Sequence, residues 1–393
     1  LMASPAFTCS TAGHVRSESV SAHELCRPFG TRAVMFARPG SAPSEMRPFS
    51  SVFNATVDGA DQDVTGFVID RTGTSGQIHK HLTIVLNDAD EDLGTPVQPG
   101  IYLVAYRLAY GTAQSEIVYE VINGNLPEVG AFHEAVPVRD GVTADVVVPL
   151  RRGTGRQPHP VLVYLHGGGW VCGSARTHRK LGYRFAEAGF LVFNVNYRLA
   201  PEHPFPTPFE DCLAATRWAH REAARFGGDA SRLAVGGDSA GANLAAAVAA
   251  GLAGDPQQPK AALLLYGVFD FGMLGRDAPG PGEDPAAAAA TRDVEKMMMD
   301  AYLGAARGHA LLRNPQVSPL HAAAKLPPCH IVVGGADPLT VQSAALVAAL
   351  AAAGVPHEHW VDAGMPHGYA QMEYLGGALP AIGRMVAFLK RTL

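Results

Sequence analysis

The chain has 393 residues, which is enough for one large or two ordinary domains. Its composition, with 47% hydrophobic and 17% charged residues, is typical of a globular protein with a substantial core. Its formal net charge of -5 argues against a nucleic-acid partner, since non-specific binding needs clustered Lys and Arg. No strongly apolar run is long enough to predict a membrane span, no secretory signal is apparent, and five scattered cysteines fit a reducing compartment, so we expect a cytoplasmic protein.

The first third of the chain predicts an extension followed by a small β domain. Residues 1–50 are rich in Ser, Ala, Pro and Gly without a sustained period, which predicts a loosely ordered segment. Short runs rich in Val, Ile, Tyr and Phe then alternate with turn residues, and they predict an all-β, sandwich-like accessory domain over residues 51–126. The predicted strands are Ser51–Val57, Thr65–Asp70, His81–Asn87, Ile101–Leu108 and Ser115–Ile122.

Two features of this β region resemble metal sites. His79 and His81 would share one face of a strand, and residues 88–92 begin like a calcium loop. The loop lacks the glycine at its sixth position and the glutamate at its twelfth, so a solvated acidic turn is the better interpretation. We therefore predict no metal site.

From about residue 127 strands that are apolar throughout alternate with helices, which predicts a mostly parallel sheet with helices on both faces, an α/β fold, over residues 127–393. The predicted strands are Asp140–Pro149, Pro160–Leu165, Phe190–Asn196, Leu233–Val235, Ala261–Tyr266, His330–Val333 and His357–Val361. The predicted helices are Arg176–Ala188, Phe209–Phe226, Ala242–Ala253, Val341–Ala353 and Leu379–Leu393.

One connection in this domain is far longer than usual. About sixty residues separate Tyr266 from Leu326, including a Pro/Gly/Ala-rich stretch and a Met-rich helix near Asp293–Leu303. Because ligands bind at the carboxyl ends of the strands in such sheets, we predict that residues 268–320 form a lid over a site there.

The segment Gly237–Gly241 has the sequence G-D-S-A-G between a predicted strand and a predicted helix. A G-x-S-x-G sequence in this context predicts a turn so sharp that its glycines must lack side chains, with the serine hydroxyl exposed at the end of the strand. The following helix directs its unpaired amides and positive dipole end toward charge that forms beside Ser239. Ser239 is therefore the predicted nucleophile.

A serine nucleophile needs a base and an orienting acid, and in this topology they follow in the order Ser, Asp or Glu, His. Asp337 follows the strand ending at Val333, and His367 follows the strand ending at Val361. Both therefore belong to loops at the same sheet edge as Ser239, and we predict that the three side chains meet.

The segment His166–Trp170 has the sequence H-G-G-G-W directly after an apolar strand. Three successive glycines allow the backbone to approach a substrate and to aim several amide N–H groups at one point. We predict that this loop stabilises an oxyanion, with His166 bracing it.

Together these motifs resemble those of the bacterial hormone-sensitive-lipase-like esterases of the α/β-hydrolase fold, over residues 133–393. The motifs are His166–Trp170, Asn196–Pro206, Gly237–Gly241, Asp337–Leu339 and His367–Tyr369. The resemblance implies a serine carboxylesterase that acts on small-molecule esters with short to medium acyl chains through an acyl-enzyme and needs no cofactor. It implies the nucleophile Ser239, the acid Asp337, the base His367 and an oxyanion hole formed by the backbone N–H groups of Gly168, Gly169 and Ala240.

The chain departs from the family pattern in three places. Thr340–Gln342 stands where the family usually has Arg-Asp-Glu, and Ala242 replaces a common glycine. The predicted β domain also takes the place of the family's N-terminal helical cap, so we expect an unusual entrance to the pocket. We predict Trp170, Met298 and Tyr302 as pocket walls.

Other functions fit the same residues. An amidase, a lactonase or a polyester-degrading hydrolase would use the same triad. A non-catalytic binding protein is a further alternative, because plant hormone receptors resemble the family but lack the catalytic histidine, which is present here as His367. The β domain is compatible with carbohydrate binding, pocket shaping or homodimer formation.

Overall fold

The computed structural model describes residues 123–150, 157–274, 295–304 and 309–393, together with four strands nearer the N terminus. The chain divides into two compact units, one of residues 1–117 and 277–301 and the other of residues 118–276 and 302–393. The predicted strands at 101–108 and 115–122, the acidic turn at 88–92, and residues 275–294 and 305–308 of the predicted lid lie outside the described residues.

The four strands of the first unit form one sheet in the order β1-β4-β3-β2. The strands are β1 (Thr8–Cys9), β2 (Phe53–Val57), β3 (Ala60–Thr72) and β4 (His79–Asn87). β2, β3 and β4 pair in antiparallel fashion and β1 pairs parallel to β4. Three of the predicted strands overlap β2, β3 and β4, whereas the side chains of His79 and His81 lie outside the described part.

The second unit is an α/β fold around an eight-stranded sheet in the order β12-β11-β10-β9-β7-β8-β6-β5. The strands are β5 (Ala131–Arg139), β6 (Val142–Val148), β7 (His159–Leu165), β8 (Leu191–Asn196), β9 (Gly228–Asp238), β10 (Ala261–Leu265), β11 (Cys329–Gly334) and β12 (His357–Asp362). β8, β7, β9, β10, β11 and β12 are parallel neighbours, and β5 and β6 are antiparallel.

The helices of the second unit connect these strands. They are α1 (Arg179–Glu187), α2 (Thr207–Glu222), α3 (Ala240–Gly251), α5 (Thr340–Ala352) and α6 (Ala378–Thr392). Residues 295–303, most of which belong to the first unit, form α4, and a short turn of helix spans His309–Leu312. Within the described part of the chain, no helix has both the length and the apolar character to span a membrane.

The N-terminal edge of this sheet differs from the prediction of a single strand at Asp140–Pro149. The structure has a hairpin there, in which β5 and β6 flank Asp140 and Gly141, and Gly141 has φ 73°. Asp-Gly is a strong signal for a two-residue hairpin turn. β5 was missed because it is a half-exposed edge strand that contains Pro137 and lacks a continuous apolar run.

The core lies on both faces of the parallel strands. Large side chains from α1, α6 and the sheet pack on one face, among them Phe185, Tyr164, Met385 and Phe388. α3 is buried along almost its whole length, and its many alanines allow the backbone of the helix to pack close to the sheet. The buried helix therefore holds the residue before it, Ser239, in a fixed position.

Candidate active site

Ser239 lies at the sharp turn between β9 and α3, with φ 53° and ψ −120°. A Cβ on Gly237 would lie 2.5 Å from the carbonyl oxygen of Leu165, and one on Gly241 would overlap that same oxygen. Only glycine fits at either position, because the turn packs directly against the end of β7. Ser239 N–H donates to the Leu265 carbonyl at 2.8 Å, which fixes the turn to β10 as well.

His367 lies within hydrogen-bond distance of both residues that the sequence predicts to meet it, Ser239 and Asp337. His367 Nε2 is 3.0 Å from Ser239 Oγ, and His367 Nδ1 is 2.8 Å from Asp337 Oδ2. The Asp337 side chain is fully buried, whereas that of His367 is 37% exposed. The carboxylate is thus shielded from water while the imidazole is open to a substrate, the arrangement that a nucleophile, base and orienting acid require.

Backbone contacts between their loops set the distance between the acid and the base. Gly335 N–H donates to the Asp362 carbonyl at 2.7 Å, and Ala336 N–H donates to the Met365 carbonyl at 3.1 Å. The second oxygen of Asp337 accepts from Leu339 N–H at 2.8 Å, so the carboxylate has only one orientation toward the imidazole.

The glycine loop is a turn with positive φ at three successive residues. Gly168, Gly169 and Trp170 have φ of 118°, 59° and 62°, a region that L-residues seldom enter. Val171 and Cys172 both donate N–H groups to the Gly168 carbonyl at 3.0 Å, which closes the turn. The Gly168 carbonyl is thereby engaged inside the loop.

The buried ring of His166 supports this loop. The ring stacks on Tyr197 with centroids 4.3 Å apart, and its Nδ1 lies 2.8 Å from the Gly167 carbonyl. Burial, with a smaller effect of nearby His178, lowers the pKa of His166 to about 3, so the ring is neutral and Nδ1–H can donate to the carbonyl. Tyr197 Oη donates to the His166 carbonyl at 2.7 Å and completes the brace.

Three residues beside the nucleophile were not predicted from the sequence. They are Asp238, which precedes Ser239, and its partners His178 and Gln371. Burial by itself raises the pKa of the Asp238 carboxyl, but His178 and hydrogen bonds from His178 and Tyr164 outweigh burial and lower it. The carboxylate is therefore ionised and fully engaged. Its place inside G-D-S-A-G was the only signal in the sequence, since its partners are 60 to 133 residues away.

The three predicted pocket walls have different surroundings. Trp170 and Tyr302 are both buried and stack with centroids 4.7 Å apart, and Phe271 packs against Trp170 at 4.9 Å. Met298 is half-buried on α4, in the part of that helix that belongs to the first unit. The structure thus brings Trp170 and Tyr302 together.

The family's usual acidic group after the Asp337 motif is replaced by the amide of Gln342, which is buried. Its Oε1 accepts from the N–H groups of Phe269 and Asp270 at 3.0 and 2.9 Å, and its Nε2 donates to the Asp270 carbonyl at 2.9 Å. In place of the family's acidic group, the neutral side chain of Gln342 therefore holds the backbone of the segment that follows β10.

Comparisons with known proteins identify the fold and the family of the chain. A family model described as an alpha/beta hydrolase fold matches residues 162–371, more than half of the chain. Carboxylesterase NlhH of Mycobacterium tuberculosis is 38% identical over 272 residues, which are 68% of this chain and 84% of that protein. An ethyl acetate hydrolase of Pseudomonas putida is 34% identical over 248 residues, 61% of this chain and 75% of that protein.

Solved structures give the same result. A hyperthermophilic esterase from the archaeon Pyrobaculum calidifontis superposes with a TM-score of 0.65 at 28% identity, covering 75% of this chain and 92% of that one. The chain therefore belongs to the α/β-hydrolase family, among its hormone-sensitive-lipase-like carboxylesterases.

Proposed function

We propose that the protein is a serine carboxylesterase that hydrolyses short- to medium-chain carboxylic esters through an acyl-enzyme on Ser239. The observation that carries the proposal is the position of His367, with Nε2 3.0 Å from the Ser239 hydroxyl and Nδ1 2.8 Å from a fully buried carboxylate of Asp337.

In the acylation step Ser239 Oγ attacks the ester carbonyl while His367 Nε2 takes the hydroxyl proton. The imidazolium that forms is stabilised by Asp337, which stays ionised and keeps the remaining proton on Nδ1. His367 then gives its proton to the oxygen of the leaving alcohol as the C–O bond breaks.

The charge that develops on the carbonyl oxygen needs preorganised donors. We assign this role to the backbone N–H groups of Gly168, Gly169 and Ala240. Ala240 is the first residue of α3, so its N–H has no acceptor inside the helix. The two glycines lie on the loop that Asp238 holds beside the nucleophile through Gly167 N–H, at 3.0 Å.

Deacylation reverses the proton path. His367 removes a proton from a water molecule, the hydroxide adds to the acyl carbon, and the same donors stabilise the second oxyanion. Ser239 leaves with the proton from His367, and the carboxylic acid is released. All of these steps use side chains and amides of the protein itself.

The names of the relatives support the substrate class. They include carboxylesterases and a hydrolase of ethyl acetate, an ester with a two-carbon acyl group. We therefore propose small-molecule esters with short to medium acyl chains as substrates.

A panel of nitrophenyl esters from acetate to palmitate tests this proposal. We expect the acetate, butyrate and hexanoate esters to be hydrolysed and Ser239→Ala to lose about 10⁶ in kcat, as removing a triad nucleophile does. Ser231→Ala, which changes an exposed serine whose hydroxyl donates to Asp229, is the matched control, and we expect it to keep full activity. A Ser239→Ala protein within tenfold of the wild type would contradict the assignment.

The same assay separates the alternatives. Nitroanilides, lactones and polyester films test the amidase, lactonase and polyester-degrading hypotheses. Binding of an ester without turnover by the wild type would instead favour the binding protein.

We further propose that residues 51–126 form an accessory β domain, that residues 268–320 form a lid, and that the enzyme works in the cytoplasm without a nucleic-acid partner. Kinetics and light scattering of a variant lacking residues 1–126 test whether the β domain shapes the pocket or mediates a homodimer. Unchanged kcat, KM and mass would contradict both roles.

A further inference from the structure

A buried carboxylate lies directly behind the nucleophile and touches three separate parts of the site. Asp238 Oδ1 accepts from Gly167 N–H at 3.0 Å and from the Tyr164 hydroxyl at 2.9 Å, and Oδ2 lies 3.2 Å from His178 Nε2 and 3.0 Å from the Gln371 amide nitrogen. Asp238 is thus the point where the oxyanion loop, the nucleophile turn and the start of α1 meet. Tyr164, His178 and Gln371 take no part in the mechanism described above.

Gln371 connects this point to the base. It ends the short helix Tyr369–Gln371, four residues after His367. Its amide nitrogen lies 3.0 Å from Asp238 Oδ2 and 2.7 Å from His178 Nε2, and an amide carries two N–H groups, enough for both acceptors. In the tautomer of His178 that carries its proton on Nε2, this nitrogen donates to Asp238 instead, and the bond from Gln371 to Asp238 is available with either tautomer.

The other side-chain interactions described for residues 369–373 are with residues away from the nucleophile. Tyr369 Oη donates to Asp362 at the end of β12, and Glu373 forms ion pairs with Arg184 at 2.7 Å and Lys180 at 3.1 Å on α1. Among the described side chains of residues 369–373, Gln371 is therefore the one that bonds the carboxylate next to Ser239.

We propose that Gln371 is a positioning residue, which through Asp238 fixes the segment carrying His367 relative to Ser239 and the oxyanion loop. The proposal rests on the proposed esterase function. A hydrogen bond of this kind holds groups that must be aligned within a fraction of an ångström in the transition state, where a misplacement of 1 Å costs about 10² in rate. Ground-state binding of an ester does not depend on this alignment, so we expect loss of the Gln371 hydrogen bond to lower kcat and to leave KM nearly unchanged.

The test uses Gln371→Met, which keeps the length of the side chain and removes both donors. We expect kcat for nitrophenyl butyrate to fall by about 10- to 100-fold with KM within about twofold of the wild type, on the alignment argument. Glu373→Gln is the matched control, because it weakens an ion pair of the same segment without touching Asp238, and we expect both kinetic constants to stay within twofold. Circular dichroism and thermal melting establish that each variant is folded.

A second variant keeps the proposal testable if the methionine does not pack. Gln371→Asn retains the amide but is one methylene too short to reach Asp238, and we expect the same loss in kcat. A double-mutant cycle with Asp238→Asn then shows whether Gln371 acts through that carboxylate. We expect the loss from Gln371→Met to shrink at least threefold in the Asp238→Asn background, because residues that share one hydrogen-bond network are not additive.

Failure of this inference differs from failure of the proposed function. A folded Gln371→Met or Gln371→Asn protein with wild-type kcat overturns the inference while the wild-type enzyme remains an esterase. A loss that appears in KM alone, or that is fully additive with Asp238→Asn, overturns it as well. A wild-type protein without Ser239-dependent esterase activity contradicts the proposed function itself.

Discussion

Replacing Asp337 by asparagine should disable the base without disturbing the fold. Asp337 Oδ2 accepts from His367 Nδ1 and Oδ1 accepts from Leu339 N–H, both at 2.8 Å. An asparagine retains one oxygen, and Leu339 N–H requires it, since an N–H facing an amide NH₂ would lose its acceptor. The NH₂ group is then directed at His367 Nδ1, which has to present its lone pair.

The consequence is the wrong tautomer at the nucleophile. With its proton on Nε2, His367 offers a donor to Ser239 Oγ and cannot accept the hydroxyl proton. The alternative orientation of the amide restores the tautomer but leaves buried Leu339 N–H unsatisfied, at about 1–3 kcal/mol. Loss of the charge that stabilises the imidazolium adds to this, and we expect kcat to fall by about 10⁴, or about 5.4 kcal/mol, as in other triads whose aspartate becomes asparagine.

The assay is steady-state hydrolysis of nitrophenyl butyrate with thermal melting in parallel. KM and the melting temperature should stay close to those of the wild type, because the substitution is isosteric and keeps the bond to Leu339. Asp255→Asn is the control, since this aspartate pairs with Arg217 away from the triad. An Asp337→Asn protein within tenfold of wild-type kcat would refute the tautomer argument.

Three further predictions concern stability. Gly241→Ala should lower the free energy of unfolding by about 1–3 kcal/mol or more, because the added methyl overlaps a backbone carbonyl, whereas Gly383→Ala on α6, with open space around its Cβ, should not; equal melting temperatures would contradict this. Gln342→Glu should destabilise the protein in urea by about 1–3 kcal/mol, because a carboxylate cannot donate to the Asp270 carbonyl; a stability equal to the wild type would disprove the anchor. Burial lowers the pKa of His166 from 6.5 to about 3, so below pH 6.5 the unfolded chain binds a proton that the folded protein does not. Above pH 6.5 this difference in proton binding does not lower the free energy of unfolding. As the pH falls from 6.5 toward 3, it lowers the free energy of unfolding by up to about 1.4 kcal/mol per pH unit. Urea unfolding at pH 7 and pH 5 should therefore show a smaller pH dependence in His166→Asn than in the wild type, and equal slopes would argue against a neutral buried ring.

Local sequence was sufficient for the parts of the site that local geometry defines. The strand, turn and helix around Ser239 follow from glycines that fit only there, and the loops of Asp337 and His367 follow from apolar strands that end just before them. Parallel strands place their carboxyl ends at one sheet edge, so three loops far apart in the chain could be predicted to meet.

The sequence by itself predicted the α/β fold and the meeting of Ser239, Asp337 and His367, because strand periodicity and the glycine turn leave few other arrangements. The tertiary structure alone decided that Gln371 and His178 reach Asp238, and that Gln342 anchors the chain beyond β10. These contacts join polar side chains to side-chain or backbone groups 60 to 133 positions away, and no local pattern marks them. A buried polar group takes whatever partner the packing brings within reach, and only the assembled core specifies that partner.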